Sequence, residues 1–301
     1  MYQRILVPLD GSPLAEQVLP YVLMLARSLG SRVELLRLIA PLPPVGLTDP
    51  AREVYRQRIF AELREEAEGY LSQLAGRLRQ SGLAVSTNVI HNVDPATGII
   101  NAGEQDPDTL IAMSSHGRSG LGRWVLGSVT DRVFRVTESA LLVARVQDGL
   151  PATAEINLDT IILPLDGSPA AEEALPAAAT LSKLLHLKVI LVEIAPPGSD
   201  VAAATVPVSG DEPPQLDYLS GVEGRLLQMG ASPVERRRLA DDTAAGIVSL
   251  AQEASRSIVV MASQHRSGLE RVVPGSVTDQ VVRQAADPVL VVAPLVSDSS
   301  D

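Results

Sequence analysis

Ile5-Leu6-Val7-Pro8-Leu9-Asp10-Gly11-Ser12-Pro13 returns 156 residues later as Ile161-Ile162-Leu163-Pro164-Leu165-Asp166-Gly167-Ser168-Pro169. Each copy opens with a continuous apolar run, as a strand buried on both faces requires. Each then supplies turn chemistry, with Ser and Pro placed as the cap and first residue of a helix. Gly127-Ser128-Val129-Thr130-Asp131 and Gly275-Ser276-Val277-Thr278-Asp279 form a second pair of anchors, 148 residues apart. The second copy is therefore 8 residues shorter between its anchors (156 − 148). Both copies close on apolar runs, Leu141-Leu142-Val143-Ala144 and Val289-Leu290-Val291-Val292. A period of about 150 is too long for a solenoid and marks duplication of a whole domain. The polar Gly/Pro seam around Gln147–Thr153 sets the expected boundaries: a first domain over 1–147, a linker over 148–158, a second domain over 159–296 and a tail over 297–301.

Within the first copy, Ile5–Leu9 is followed by a helical pattern at Leu14, Val18, Val22, Leu25 and Leu29, ended by Gly30. Pro20, and Pro176 at the matching place, are expected to kink that helix. Then come a strand at Val33–Ile39, a long charged helix over about Ala51–Gln80, a strand at Val85–Ile90 and a helix from Asp94-Pro95. A strand at Leu110–Ser114, a glycine-rich loop, a helix from Ser128 and a strand at Leu141–Arg145 complete the copy. Five strands alternating with helices predict two tandem doubly wound α/β domains, each a five-stranded parallel sheet flanked by helices. Leu141–Arg145 and Val289–Ala293 are apolar edge-type runs that need cover, from each other or from another chain.

The composition excludes several chemistries. The chain has 301 residues and no Cys, so disulfide scaffolds, thiolate metal sites and a cysteine nucleophile are ruled out. Lys183 and Lys188 are the only lysines. The net charge of −11 leaves no broad basic surface for nucleic acid, although backbone amides can still bind an anion locally. Met1–Arg4 leads into only five apolar residues before Asp10, too few for an export signal, and no apolar run approaches the length of a bilayer span. The expected location is the cytoplasm, without membrane contact.

In open α/β sheets ligands bind beyond the carboxyl ends of the strands, where strand order reverses. Two loops of the first copy leave such ends, Asp10-Gly11-Ser12 and the glycine-rich stretch from Ser114 to Gly127. The latter runs into a helix start at which the amides of Ser128, Val129 and Thr130 and the positive dipole end favour an anion, with charge available from Arg118 or Arg123. The plainer reading is that Ser128 caps the helix and the glycines turn the chain. Asp131 complements the dipole but repels a phosphate unless its carboxylate points away. The stretch is neither a Walker A loop nor the dinucleotide fingerprint, which belongs after the first strand.

With these residues in view, the chain resembles a tandem universal stress protein over both halves. The carriers are Ile5–Ser12, Met113-Ser114-Ser115-His116-Gly117-Arg118-Ser119-Gly120 and Gly127-Ser128-Val129. ATP-binding members of that family carry Gly-x2-Gly-x9-Gly-Ser/Thr; here Gly117 and Gly127-Ser128 stand in register, and Ser114 replaces the first glycine. The resemblance implies a Rossmann-like nucleotide-binding fold and an adenine nucleotide (ATP, ADP or AMP) with Mg2+. It implies that Pro8, Leu9, Asp10 and the backbone of Leu38 hold adenine and ribose. It also implies that Ser114, Ser115, His116, Gly117, Arg118, Ser119, Gly127, Ser128, Val129 and Thr130 hold the phosphates. The corresponding second set is Pro164, Asp166, Ile194, Ala262, His265, Arg266, Gly275, Ser276 and Val277. There Ala262 and His265 replace the first two glycines; His265 crowds the phosphate path or hydrogen-bonds a phosphate. The two halves are expected to be unequal.

Other candidates carry plainer roles. His91, His116, His186 and His265 show no metal-ligand spacing. His116 orients a phosphate, acts as a base or makes a loop hydrogen bond, and His186 faces a helix end. Trp124 suits packing, and the charges from Arg56 to Glu68 suit a solvated face. No side chain is assigned a catalytic or metal-binding role. Three functions stay open: a nucleotide-binding stress-response module, an interaction module without nucleotide, and a slow ATPase. The family's dimerisation implies an intramolecular pseudo-dimer of the two domains, or a homodimer of chains, and a protein partner. Pro196–Pro214 is expected as a mobile loop over the second site, and Ser297–Asp301 as a disordered tail.

Overall fold

The computed structural model describes residues 1–42, 50–115, 126–145, 154–194, 206–207, 217–239, 243–263 and 275–292. Most of the loop expected at Pro196–Pro214, and the tail at Ser297–Asp301, lie outside the described residues.

The chain forms two compact units. The first takes in Met1–Ser115 and Gly127–Ser139. Its strands are β1 (Arg4–Pro8), β2 (Arg32–Ile39), β3 (Val85–His91) and β4 (Thr109–Ser115). They pair in parallel in the order β3-β2-β1-β4. Its helices are α1 (Leu19–Leu29), α2 (Pro50–Gln80), α3 (Pro95–Gly103) and α4 (Ser128–Val136). Ala67, Leu71, Leu74, Ala75 and Leu78 make the buried stripe of α2, at the helical spacing that lets an otherwise charged helix dock on a sheet. Its outer face carries i,i+4 pairs, Arg58–Glu62 at 3.0 Å and Arg64–Glu68 at 2.7 Å.

The second unit contains β6 (Thr160–Leu165), α5 (Pro169–Glu172), α6 (Leu175–Leu185), β7 (Lys188–Ile194), β8 (Val206–Pro207), α7 (Asp217–Gln228), β9 (Val234–Leu239), α8 (Thr243–Ala254), β10 (Ser257–Ala262), α9 (Ser276–Gln284) and β11 (Val289–Val292). It also takes in β5 (Ala140–Arg145), the strand that closes the first copy. The five-stranded parallel sheet expected of each copy is complete here as β11-β10-β6-β7-β9. Two antiparallel strands extend it, β5 on β11 and the short β8 on β9. In the β5–β11 pair Leu142 lies opposite Leu290 and Leu141 opposite Val291, so the two apolar edge-type runs cover each other.

At Pro20 and Pro176 the helical path stays right-handed but loses its regular α geometry. The chain makes a short 3-10 turn at Ala15–Val18 that passes directly into α1, with Val18 and Leu19 both in the right-handed helical region and Pro20 in the first turn of α1. Pro176 likewise lies in the first turn of α6, after the separate α5. Proline lacks the amide an interior position needs but suits a first turn, where that amide is unpaired anyway. Gly30 ends α1 in the left-handed region at φ 69°, and His186 ends α6 the same way at φ 56°. Among the described residues no helix is long and apolar enough to cross a membrane.

Candidate functional site

Strand order reverses between β1 and β4 in the first unit, because β2 continues the sheet on one side of β1 and β4 on the other. A cleft therefore opens beyond the carboxyl ends of β1, β2 and β4. Pro8 ends β1, and the buried Leu9 continues its ladder by donating its amide to the Leu36 carbonyl at 2.8 Å. Asp10 then turns the chain: its Oδ1 accepts from the Ser12 amide at 2.9 Å and the Ser12 hydroxyl at 2.6 Å. Gly11, at φ +82°, takes the left-handed conformation that this turn needs. Partial desolvation pulls the Asp10 carboxyl upward. The hydrogen bonds from Ser12 and the nearby Arg37 guanidinium outweigh it and hold the group below the usual carboxylate range.

On the β4 side, Ser114 and Ser115 end the strand, and the Thr130 hydroxyl donates to the Ser114 carbonyl at 3.3 Å. That bond ties the first turn of α4 to the strand end. The cap of α4 is Gly127, not Ser128, and among the described residues no side chain caps it. Among the described residues the amides of Ser128, Val129 and Thr130 thus begin a helix without a side-chain acceptor, which is the arrangement an anion fits. Asp131 is turned along the helix toward Arg135, at 3.2 Å, so its carboxylate is directed away from the helix start. His116, Gly117, Arg118 and Ser119, with Arg123 and Trp124, lie outside the described residues.

A groove of about 380 Å3 continues the cleft between the end of β2 and α2. Leu38, one of the expected residues, lines it, together with Arg37, Leu63, Glu66, Tyr70 and Gly11. Arg37 donates to the Leu9 carbonyl at 3.3 Å. Tyr70 donates to Glu16 at 3.0 Å, and Arg77 pairs with Glu16 at 3.5 Å. Burial and the Glu16 carboxylate push the Tyr70 phenol far above its ordinary range, so it stays a neutral donor. Gly98 of α3 lies so close to β2 that a Cβ there would overlap Leu38 Cδ2. None of Arg37, Tyr70, Glu16 or Gly98 was singled out from sequence. A repeat comparison offers the signal, because Glu16, Tyr70, Arg77 and Gly98 recur as Glu172, Tyr218, Arg225 and Gly246.

In the second unit the reversal falls between β6 and β10. Pro164 lies within β6, opposite Val192, and the Ser168 amide donates to Asp166 at 2.9 Å. Ala262 ends β10 opposite Val292, Ile194 ends β7 opposite Leu239, and Gly275 precedes Ser276 and Val277 at the start of α9, again without a side-chain cap among the described residues. Asp279 forks with Arg283 at 2.9 and 3.1 Å. His265 and Arg266 lie outside the described residues. Among the described residues no group of His, Asp and Glu could hold a metal ion.

Comparison with known proteins matches the family model described as the Universal stress protein family twice, over residues 1–145 and 157–293. Universal stress protein MJ0531 of Methanocaldococcus jannaschii is 28% identical over 145 residues, covering 48% of this chain and 83% of that protein. Universal stress protein Slr1230 of Synechocystis is 22% identical over 304 residues, covering 96% of this chain and 99% of its own. The crystal structure of a universal stress protein from Archaeoglobus fulgidus superposes with a TM-score of 0.74 at 21% identity, covering 97% of this chain and 98% of that one.

Proposed function

The chain belongs to the universal stress protein family, carrying its domain twice, and from that premise we propose that the first cleft binds an adenine nucleotide and that occupancy regulates a stress response. The uncapped start of α4 carries this reading, with Asp131 turned away toward Arg135. It matches the place where the Gly117 to Gly127-Ser128 spacing puts the phosphates. Leu9, Asp10 and Leu38, at the β1 and β2 ends, take the nucleoside, and Thr130 holds the helix start on Ser114. Mg2+ arrives with the triphosphate. The second cleft keeps its helix start but has Ala262 and His265 in place of glycines, and it is left empty in this proposal. The working location is the cytoplasm. The antiparallel β5–β11 pair supports reading the strands that close the two copies as mutual cover, the basis of a pseudo-dimer.

The test is the nucleotide content of the purified chain by chromatography, followed by ATP–Mg2+ titration of the stripped protein. One nucleotide per chain is expected. Ser128→Asp, which sets a carboxylate at the start of α4, should lower affinity at least tenfold, and Ser276→Asp should leave it unchanged. Absence of binding at millimolar ATP would favour an interaction module without nucleotide.

A further inference from the structure

We propose that Arg37 is a positioning residue that makes the first cleft accept an anionic ligand, and that Glu193 at the matching position withholds this property from the second. The inference rests on the nucleotide reading of the first cleft. It starts from a conflict: Asp10 places a carboxylate at the mouth of a site whose ligand is itself anionic.

Arg37 resolves that conflict by where it stands. It donates from Nη1 to the Leu9 carbonyl at 3.3 Å. Its guanidinium atoms lie 3.7 to 3.8 Å from the position a Gly11 Cβ would occupy. The cation is thus parked across the Leu9–Gly11 turn, half-buried, where solvent screens it less than a surface arginine. Val89, which is neutral, pairs with it across the ladder in β3. Glu66 and Tyr70, the other polar groups lining the groove, contribute one carboxylate and a neutral phenol.

The second copy repeats the turn without the cation. Gly167 has φ +81° against +82° at Gly11, and the Ser168 amide reaches Asp166 at the same 2.9 Å as the Ser12 amide reaches Asp10. Yet no described residue stands within 4 Å of a Cβ built on Gly167. The strand register explains the difference. Pro8 pairs with Leu36, one residue before Arg37, just as Pro164 pairs with Val192, one residue before Glu193. Glu193 is held by Arg238, directly opposite it in β9, at 2.8 and 2.9 Å. An arginine that serves Asp10 and the Leu9 carbonyl beside the first turn is therefore replaced by a closed acid–base pair beside the second.

The test compares ATP with adenosine, which shares the nucleoside but has no phosphate charge, by equilibrium dialysis against the stripped full-length chain. Arg37→Glu should weaken ATP by on the order of tenfold or more while changing adenosine less than about threefold. Arg37→Lys, which keeps the charge, should recover most of the ATP affinity, and thermal melting confirms that each variant is folded. A merely structural arginine would give equal losses for both ligands, or a loss that Lys does not rescue, and either result overturns the proposal. ATP binding unchanged in folded Arg37→Glu overturns it while leaving the nucleotide reading intact. Wild-type protein that binds neither ligand overturns both. Should Arg37→Glu fail to fold, Arg37→Gln is judged by the same contrast.

Discussion

Where the first strand meets the second, the two copies bury different chemistry. In the first, Arg4 is almost wholly buried and pairs with Glu34 at 3.1 Å, while its Nη1 reaches the Ala102 carbonyl at 3.0 Å. The matching positions of the second copy are Thr160 and Ile190, both buried. One fold thus tolerates an ion pair or a small polar–apolar combination at the same depth, because what must be avoided is a buried charge without its partner. The comparison suggests a transplant. Arg4→Thr alone should cost about 3 kcal/mol, since among the described residues it leaves Glu34 with Asn88 as its remaining partner; adding Glu34→Ile should restore all but about 1 kcal/mol. Urea unfolding of the two variants checks this. A double variant as unstable as the single one would mean that the pair itself, not the stranded acid, carries the stability.

The second contrast is one of space. A Cβ on Gly98 would overlap Leu38 Cδ2 and stand 2.9 Å from Val93 Cγ1, whereas one on Gly246 would meet Leu239 at 3.1 to 3.3 Å. Both glycines sit inside helices, where alanine gains about 1 kcal/mol of intrinsic propensity. In the second copy that gain roughly offsets a small side-chain adjustment, so Gly246→Ala should lie within about 0.5 kcal/mol of wild type. In the first copy overpacking of about 2 kcal/mol wins, and Gly98→Ala should be destabilised by about 1 kcal/mol net. Because Leu38 lines the groove, the proposed nucleotide binding should weaken in Gly98→Ala as well. Equal melting temperatures for the two variants would show that Leu38 can swing aside freely.

Such contacts mark the limit of what the sequence shows. The duplication, the strand–helix alternation and the helix starts at Asp94 and Ser128 are legible because each depends on a few consecutive residues: an apolar run, a turn, a cap. The covering of Leu141–Arg145 by Val289–Val292 is legible as a need, since exposed apolar edges demand a partner. Gly98 against Leu38, or Arg37 across Gly11, joins residues 60 and 26 positions apart whose meeting depends on strand register and helix docking. The proline-bearing helices show a limit of another kind. Periodicity reads straight through Pro20, but a missing amide costs less at a helix start than in its middle, so the turn before it tightens to 3-10 geometry and the α-helix proper begins beside the proline. Asp131 shows the reverse case: its risk to an anion is legible from sequence, while the arginine that turns it aside is an ordinary i,i+4 partner, visible once the helix bounds are known.

The smallest expected difference concerns Asp287, whose first-copy counterpart is the neutral Ser139. Burial raises the Asp287 carboxyl above the usual carboxylate range, and hydrogen bonds from the Ser257 amide and hydroxyl only partly offset this. A carboxyl raised on folding binds more protons in the native than in the unfolded state over the window between its two pKa values. Its ionisation therefore lowers stability as pH rises through that window. Asp287→Asn keeps an acceptor for Ser257 and removes the charge, so it should be more stable than wild type at pH 7.5 by no more than about 0.5 kcal/mol. The gain should shrink toward zero below about pH 3, well under the ordinary aspartate value, where Asp287 is protonated in both states. Urea midpoints of the two proteins at both pH values measure it. An advantage that persists unchanged at low pH would place the strain in packing rather than charge, and a loss at pH 7.5 would mean that the Ser257 hydrogen bonds outweigh burial.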